Sequence, residues 1–128
     1  MKLLLDTCTF LWIASGSSQL SAQARALFVD PANEVFLSAA SAWEIAVKNE
    51  LGRLPLPSPP ARFVPAQRAA HHIAPLPIDE AAALMLEKLP GLHRDPFDRM
   101  LVCQAIHESM VLLTPDPAIA AYSVRVEW

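Results

Sequence analysis

Residues 2–7 read Lys-Leu-Leu-Leu-Asp-Thr, an apolar run that ends abruptly at Asp6. A short apolar run of this kind predicts a buried strand, which places Asp6 at the carboxyl end of that strand. A charge directly after a buried strand is costly unless a partner or a metal ion neutralises it. In α/β proteins, ligands bind outside the carboxyl ends of parallel strands. Asp6 is therefore the first candidate functional residue.

The same arrangement recurs further along the chain. Glu44 follows the apolar run 35–37 after a short Ser/Ala link, Asp98 stands at the start of a helix-like apolar run, and Asp116 follows the run 111–114. Carboxylates gathered at one edge of a sheet would raise one another's pKa unless a cation neutralised them. The pattern predicts a divalent-metal site. Its predicted ligands are Asp6, Glu44, Asp98 and Asp116.

Two of these acids also have structural explanations. Glu44 lies three residues after Ser41, the spacing of a capping box, and four residues before Lys48, a possible ion-pair partner. Asp116 could be an ordinary turn residue, and Thr114 could bond a ligand or simply end the strand. Their partnership with the other acids is what favours a functional role.

Asp95 and Asp98 lie three residues apart at the start of a predicted helix. Asp95 is explained by N-capping, with Pro96 at the first helical position. Asp98 gains only some stabilisation from the helix dipole, so it is the preferred ligand and Asp95 the second. Among the four histidines, His93 is the best candidate for chemistry because it lies beside these acids.

Length and composition indicate a single globular domain over residues 1–128. The chain is 53% hydrophobic with a net charge of −3, which argues against a basic protein that coats nucleic acid but not against a nuclease. No apolar run reaches the roughly 18 residues of a membrane span, and Asp6 interrupts the first one, so we expect a cytoplasmic protein without a membrane anchor. Cys8 and Cys103 are expected to be buried free thiols.

The periodicity predicts alternating strands and helices. Strands are expected at 2–5, 34–38, 73–78, 111–114 and 124–128. Helices are expected at 7–14, 21–28, 41–51, 61–72 with a break or kink at Pro65, 80–89, and from Pro96 to about Ser109, with a short one inside 115–122. This order predicts an α/β fold with a central parallel sheet of four to five strands flanked by helices. Trp12, Trp43 and Phe97 are most simply core residues.

Taken together, these segments resemble the PIN-domain ribonucleases, and most closely the VapC-type toxins of bacterial and archaeal toxin–antitoxin pairs. The matching segments are Leu4-Leu5-Asp6-Thr7, Ser38 with Ser41-Ala-Trp43-Glu44-Ile45 and Lys48, Gly52-Arg53-Leu54, His93-Arg94-Asp95-Pro96-Phe97-Asp98-Arg99-Met100-Leu101, and Leu113-Thr114-Pro115-Asp116. They run in order over almost the whole chain. The Trp-Glu-Ile segment combined with the block that begins at His93 makes the resemblance specific.

The resemblance implies a single PIN-like domain that cleaves single-stranded RNA with Mg²⁺ or Mn²⁺. It also implies a homodimer silenced by a cognate antitoxin. The family's acidic quartet falls on Asp6, Glu44, Asp98 and Asp116, with Asp95 as an accessory acid. Lys48, Arg94 and Arg99 are candidate contacts to RNA phosphates, although each could equally be a surface ion-pair partner. Two alternatives stay open: a metal-dependent nuclease acting on structured DNA, and a catalytically silent PIN-like module that binds RNA or a protein partner.

Overall fold

Strands and helices alternate along the whole chain, and the computed structural model describes residues 1–128. The strands are β1 (Lys2–Leu5), β2 (Glu34–Ser38), β3 (Ala74–Leu76), β4 (Val111–Leu113) and β5 (Val126–Glu127). The helices are α1 (Thr7–Ser15), α2 (Ala22–Val29), α3 (Ala39–Glu50), α4 (Pro60–Ala70), α5 (Glu80–Leu84), α6 (Pro96–His107) and α7 (Pro117–Ala120), with a 3₁₀ helix at Met85–Lys88. None of these helices has the length and apolar character needed to cross a membrane.

The five strands form one parallel sheet in the order β3-β2-β1-β4-β5. On one side of β1 lie β2 and then β3, and on its other side lie β4 and then β5. The order of the strands therefore changes direction between β1 and β4, at the kind of switch point where α/β sheets bind ligands. The prediction of a parallel α/β sheet with four to five strands is confirmed.

The core lies on both faces of the sheet because successive side chains of a strand point to opposite faces. In β1, Leu3 and Leu5 join one apolar cluster with Phe10 of α1, whereas Leu4 joins a second cluster with Leu101 of α6. All five side chains are fully buried. This continuous burial explains why β1 is apolar at the three successive positions 3–5 rather than at alternate ones.

The helix ends follow local capping chemistry. Asp6 caps α1 through a hydrogen bond from the Thr9 backbone N–H to Oδ1 (2.7 Å), and Gly16 ends that helix in the left-handed conformation (φ 66°). Asp95 caps α6, and Pro96 occupies its first position as predicted. Helix α4 continues through Pro65, so of the predicted break or kink the break is wrong.

Helix α3 differs from the prediction at its start and on its outer face. Ser38, not Ser41, is the N-cap, so the capping box proposed for Glu44 is absent. The buried face carries Ser41, Glu44 and Ile45, which turns Trp43 outward with 65% of its surface exposed. Trp43 is thus a surface residue, and the prediction that it belongs to the core is wrong.

The helix predicted for residues 80–89 is shorter in the structure. Regular α-helix ends at Leu84, and the chain continues as the 3₁₀ turn Met85–Lys88. Leu84 and Leu86 are exposed, so the apolar pattern of this segment does not mark a buried face. The tighter turn is typical of a helix end that leads into a proline, here Pro90.

Candidate functional site

Asp6 lies at the carboxyl end of β1, beside β4, and is only 5% exposed. Its Oδ1 accepts the capping hydrogen bond from Thr9, and its Oδ2 accepts a hydrogen bond from the Thr114 hydroxyl. Burial raises the pKa of Asp6, the two threonines lower it, and the carboxylate of Asp116 raises it further. Both oxygens are thus held in place by groups from two different elements, while the environment disfavours the ionised form.

Glu44 enters the site from α3 and is also 5% exposed. Its Oε1 accepts a hydrogen bond from the Thr7 hydroxyl (2.6 Å), and its Oε2 is paired with the Lys48 ammonium one turn later. The hydrogen bond that Lys48 donates to Glu44 raises the pKa of Lys48. Glu44 therefore serves as a fixed acceptor between two helices rather than as part of a helix cap.

Asp95 and Asp98 project from the start of α6 in different roles. Asp95 Oδ1 accepts hydrogen bonds from the backbone N–H of Phe97 (2.9 Å) and of Asp98 (3.4 Å). The Asp98 side chain makes no cap of its own and is 17% exposed. Burial, followed by the carboxylates of Asp95 and Glu44, raises the pKa of Asp98 from 3.8 to about 6 against the opposing effect of His93.

Asp116 caps α7 through Oδ1, which accepts the Ala118 backbone N–H (2.9 Å). Its Oδ2 lies 3.7 Å from Nε2 of His93, and the same nitrogen lies 2.9 Å from Oδ2 of Asp98. The side chains of His93, Asp98 and Asp116 thus offer three potential ligand atoms within 4.8 Å of one another. Through His93, the acid in the first turn of α6 and the acid that follows β4 are therefore brought close together.

The electrostatic effects connect the acids of all these elements. The carboxylate of Asp116 raises the pKa of Asp6, and the carboxylate of Glu44 raises the pKa of Asp98. Cys8 lies among them: partial burial of its thiol, then the carboxylates of Asp6, Glu44 and Asp98, raise its pKa. The four acids proposed from the sequence are therefore brought to one edge of the sheet. Cys8 is free, as expected, but exposed rather than buried.

This donor set fits a hard divalent cation. Apart from Nε2 of His93, the groups gathered here are carboxylate oxygens, the ligands that Mg²⁺ prefers. Burial first, and neighbouring carboxylates after it, raise the pKa values of Asp6 and Asp98, so their ionised forms are disfavoured. A cation placed among them would remove that cost.

The basic residues proposed for phosphate contacts differ in their surroundings. Lys48 is paired with Glu44 at the rim, with 45% of its side chain exposed. Arg94 is exposed and forms no ion pair. The Arg99 Nε is buried without a hydrogen-bond partner, and this residue also lacks an ion pair. Neither arginine therefore has a carboxylate partner within the chain.

Two threonine hydroxyl groups hold the acids in place, and the sequence does not predict these hydrogen bonds. Thr7 holds Glu44, and Thr114 holds Asp6 while its Oγ1 accepts the backbone N–H of Asp116 (3.1 Å). The sequence places each threonine next to or near an acid, but the acid it bonds lies 37 or 108 residues away. Only the packing of α1 on α3 and of β1 on β4 makes these pairs.

The raised pKa of Asp98 predicts a dependence of stability on pH in chelator. The folded protein binds this proton more tightly than the unfolded chain, so the free energy of unfolding should fall as pH rises from about 4 to about 6 and stay low above that. Between pH 5 and pH 7 the loss should be about 1 kcal/mol. Urea unfolding of the wild type and of Asp98→Asn at both pH values measures it. The variant should lose about 1 kcal/mol less over this interval; an equal loss in both proteins would contradict the raised pKa.

Comparison with known proteins adds three findings. The family model described as the PIN domain matches residues 3–124. The ribonuclease VapC16 of Mycobacterium tuberculosis is 46% identical over 59 residues, which cover 46% of this chain and 42% of that protein's length. The matched region is thus less than half of either chain.

Two solved structures share the fold across almost the entire chain. The VapBC2 structure from Rickettsia felis, bound to a promoter DNA fragment, has a TM-score of 0.72 at 12% identity and covers 99% of this chain and 98% of its own. The DNA-bound VapBC structure from Salmonella typhimurium has a TM-score of 0.68 at 17% identity, with 99% and 97% coverage. At these identities the likeness is one of fold alone.

Proposed function

The chain belongs to the PIN-domain family, and from this membership we propose that it is a metal-dependent endoribonuclease that cleaves single-stranded RNA. The observation that carries the proposal is the convergence of acids from four separate elements at the switch point of the sheet. The 46% identity to a ribonuclease over part of the chain supports RNA as the substrate. The reaction would be hydrolysis of an internal phosphodiester bond.

Asp6 and Asp98 would be the main metal ligands, direct or through water, and Glu44 and Asp116 would complete the cluster. Asp95 would act as an accessory acid that orders the start of α6. A bound Mg²⁺ or Mn²⁺ would lower the pKa of a coordinated water and stabilise negative charge on the phosphate. The chain itself supplies ordered oxygens, because Thr7, Thr9, Thr114 and Lys48 restrain the carboxylates from behind.

Contacts to RNA would come from the basic residues around the cluster. Arg94 and Arg99 have no carboxylate partner within the chain, so a phosphate would be their first charged partner. Arginine suits this role because its planar guanidinium can donate two hydrogen bonds to one phosphate. Lys48 would offer a weaker contact, since it is already paired with Glu44.

The partners proposed are a cognate antitoxin and a second copy of the chain, as in a type II toxin–antitoxin pair located in the cytoplasm. The VapBC structures with the same fold support the antitoxin. An apolar surface supports the homodimer: the exposed Trp43 lines a cavity of about 350 Å³ with Ile78, Phe97 and Met100. Exposed apolar patches of this kind usually mark protein contacts.

Parallel cleavage assays test the substrate class. We expect the protein, in Mg²⁺, to cut a single-stranded RNA internally and to leave a single-stranded DNA of the same sequence and a DNA flap intact. The chemical basis is the 2′-hydroxyl, the group through which a protein distinguishes RNA from DNA. Cleavage of the flap with intact RNA would instead identify a nuclease for structured DNA. Binding of RNA without cleavage, at any metal concentration, would identify a silent module.

A further inference from the structure

His93 occupies a position between two carboxylates that the proposed ligand set leaves unexplained. Its Nε2 lies 2.9 Å from Oδ2 of Asp98 and 3.7 Å from Oδ2 of Asp116. A histidine nitrogen at such a place could bind a metal through its lone pair or donate a proton to the carboxylates. The two roles require the ring proton on different nitrogens.

Two contacts from outside the carboxylate cluster fix the residue. The His93 backbone N–H donates to the hydroxyl of Tyr122 (2.9 Å), a side chain that is only 4% exposed. The ring Nδ1 accepts a hydrogen bond from the backbone N–H of Asp95 (3.4 Å). The main chain and the far side of the ring are therefore both held by groups that do not bind metal.

The contact at Nδ1 decides the tautomer. An atom that accepts an N–H has its lone pair occupied and carries no proton, so the proton of the neutral ring must reside on Nε2. From this geometry we propose that His93 is a positioning residue: its Nε2–H donates to Asp98 and orients that carboxylate, it faces Asp116 at 3.7 Å, and the ring does not ligate the cation. This inference rests on the proposed metal site and adds a residue to it.

The hydrogen bond from His93 to Asp98 would orient the carboxylate before a cation binds. The carboxylates of Asp98 and Asp116 repel each other, and the Nε2–H dipole of His93 lies near one oxygen of each. The donor from His93 offsets part of that repulsion and occupies one oxygen of Asp98, which leaves the other oxygen for a ligand. Hydrogen-bonding partners that orient metal ligands typically account for about 10- to 100-fold in metal affinity.

Nitrogen-15 NMR of the His93 ring tests the tautomer directly. We expect the proton on Nε2 in the neutral ring, in chelator and again at saturating Mg²⁺. A proton on Nδ1 in either state would overturn the proposal, because Nε2 would then present its lone pair to the cation. This measurement does not depend on RNA cleavage, so it decides the role of His93 even if the chain proves not to be a ribonuclease.

A pair of amide variants tests the energetic role. His93→Gln places an amide N–H close to the position of Nε2, whereas His93→Asn places it near Nδ1, too short to reach Asp98. Calorimetric titration with Mn²⁺ should show affinity close to wild type for His93→Gln and about tenfold weaker for His93→Asn. Equal affinities in the two variants would overturn the proposal. Absence of Mn²⁺ binding by the wild type would instead contradict the proposed metal site. In that case the NMR measurement of the tautomer would still show whether His93 donates to Asp98.

Discussion

Replacing Asp6 by Asn should abolish RNA cleavage while the protein remains folded. The substitution removes the charge of Asp6, a buried acid at the carboxyl end of β1 beside β4 that is 5% exposed, as is Glu44. Loss of a single group that stabilises charge in the transition state typically lowers kcat by about 10²–10³-fold, and we expect at least that here. Cleavage of a labelled single-stranded RNA under single-turnover conditions, in saturating Mg²⁺, measures the effect.

The fold should tolerate this change because asparagine preserves the local hydrogen bonds. Its side-chain oxygen can still accept the Thr9 N–H and cap α1, and its amide can donate to the Thr114 hydroxyl. Removing a buried charge with a raised pKa should leave the melting temperature equal or higher. Circular dichroism and thermal melting check this requirement.

Asp79→Asn provides the matched control. Asp79 also caps a helix, α5, through one carboxylate oxygen (2.8 Å to the Ala82 backbone N–H), but its other oxygen faces the His107 ring (3.4 Å) rather than any acid of the cluster. This variant should cleave RNA at the wild-type rate. Wild-type cleavage by Asp6→Asn as well would remove Asp6 from the mechanism and the shared metal site with it.

Removal of divalent metal should reduce cleavage to background. Burial and neighbouring carboxylates raise the pKa values of Asp6 and Asp98, so the ionised cluster is disfavoured without a cation. The proposed reaction depends on that cation to activate water. EDTA should therefore stop the reaction, and Mn²⁺ or Mg²⁺ in excess of the chelator should restore it. The Mn²⁺ concentration needed should rise below about pH 6, where protons compete for Asp98.

For reactions run in Mg²⁺, EDTA that is already saturated with Mg²⁺ serves as the matched control, since it contains the same chelator but has no free capacity to remove Mg²⁺ from the protein. It should leave cleavage unchanged. Full activity in metal-free EDTA after dialysis would refute metal dependence, whatever the substrate proves to be.

Local sequence determined much of what could be predicted. The run Leu3 to Leu5 identifies the central strand because a fully buried strand is apolar at every position. Asp95 followed by Pro96 identifies the start of α6 because both residues suit only that end of a helix. Once the strands are assigned as parallel, the carboxyl-end acids must share an edge, and the structure places them there.

Features that depend on contacts between distant segments could not be predicted in this way. Ser38 and Ser41 are both reasonable caps for α3; Ser38 is selected because it ends β2 and its hydroxyl donates to Gln104, 66 residues later. Trp43 is a large apolar residue of the kind usually found in a core. The orientation of α3 is set instead by the neighbouring Glu44 and Ile45, which are buried and leave Trp43 exposed. The tautomer of His93 likewise depends on a loop geometry that no spacing rule describes.

The hydrogen bond between Thr114 and Asp6 joins residues that are 108 positions apart, with β1 held between strands made early and late in the chain. Neither the β1 segment nor the β4 segment can orient this carboxylate alone, because the acceptor oxygen follows one strand and the donor hydroxyl follows the other. The ordered carboxylate would thus form only together with the β1–β4 pairing. A partly folded chain that lacks this pairing would also lack the geometry of the site.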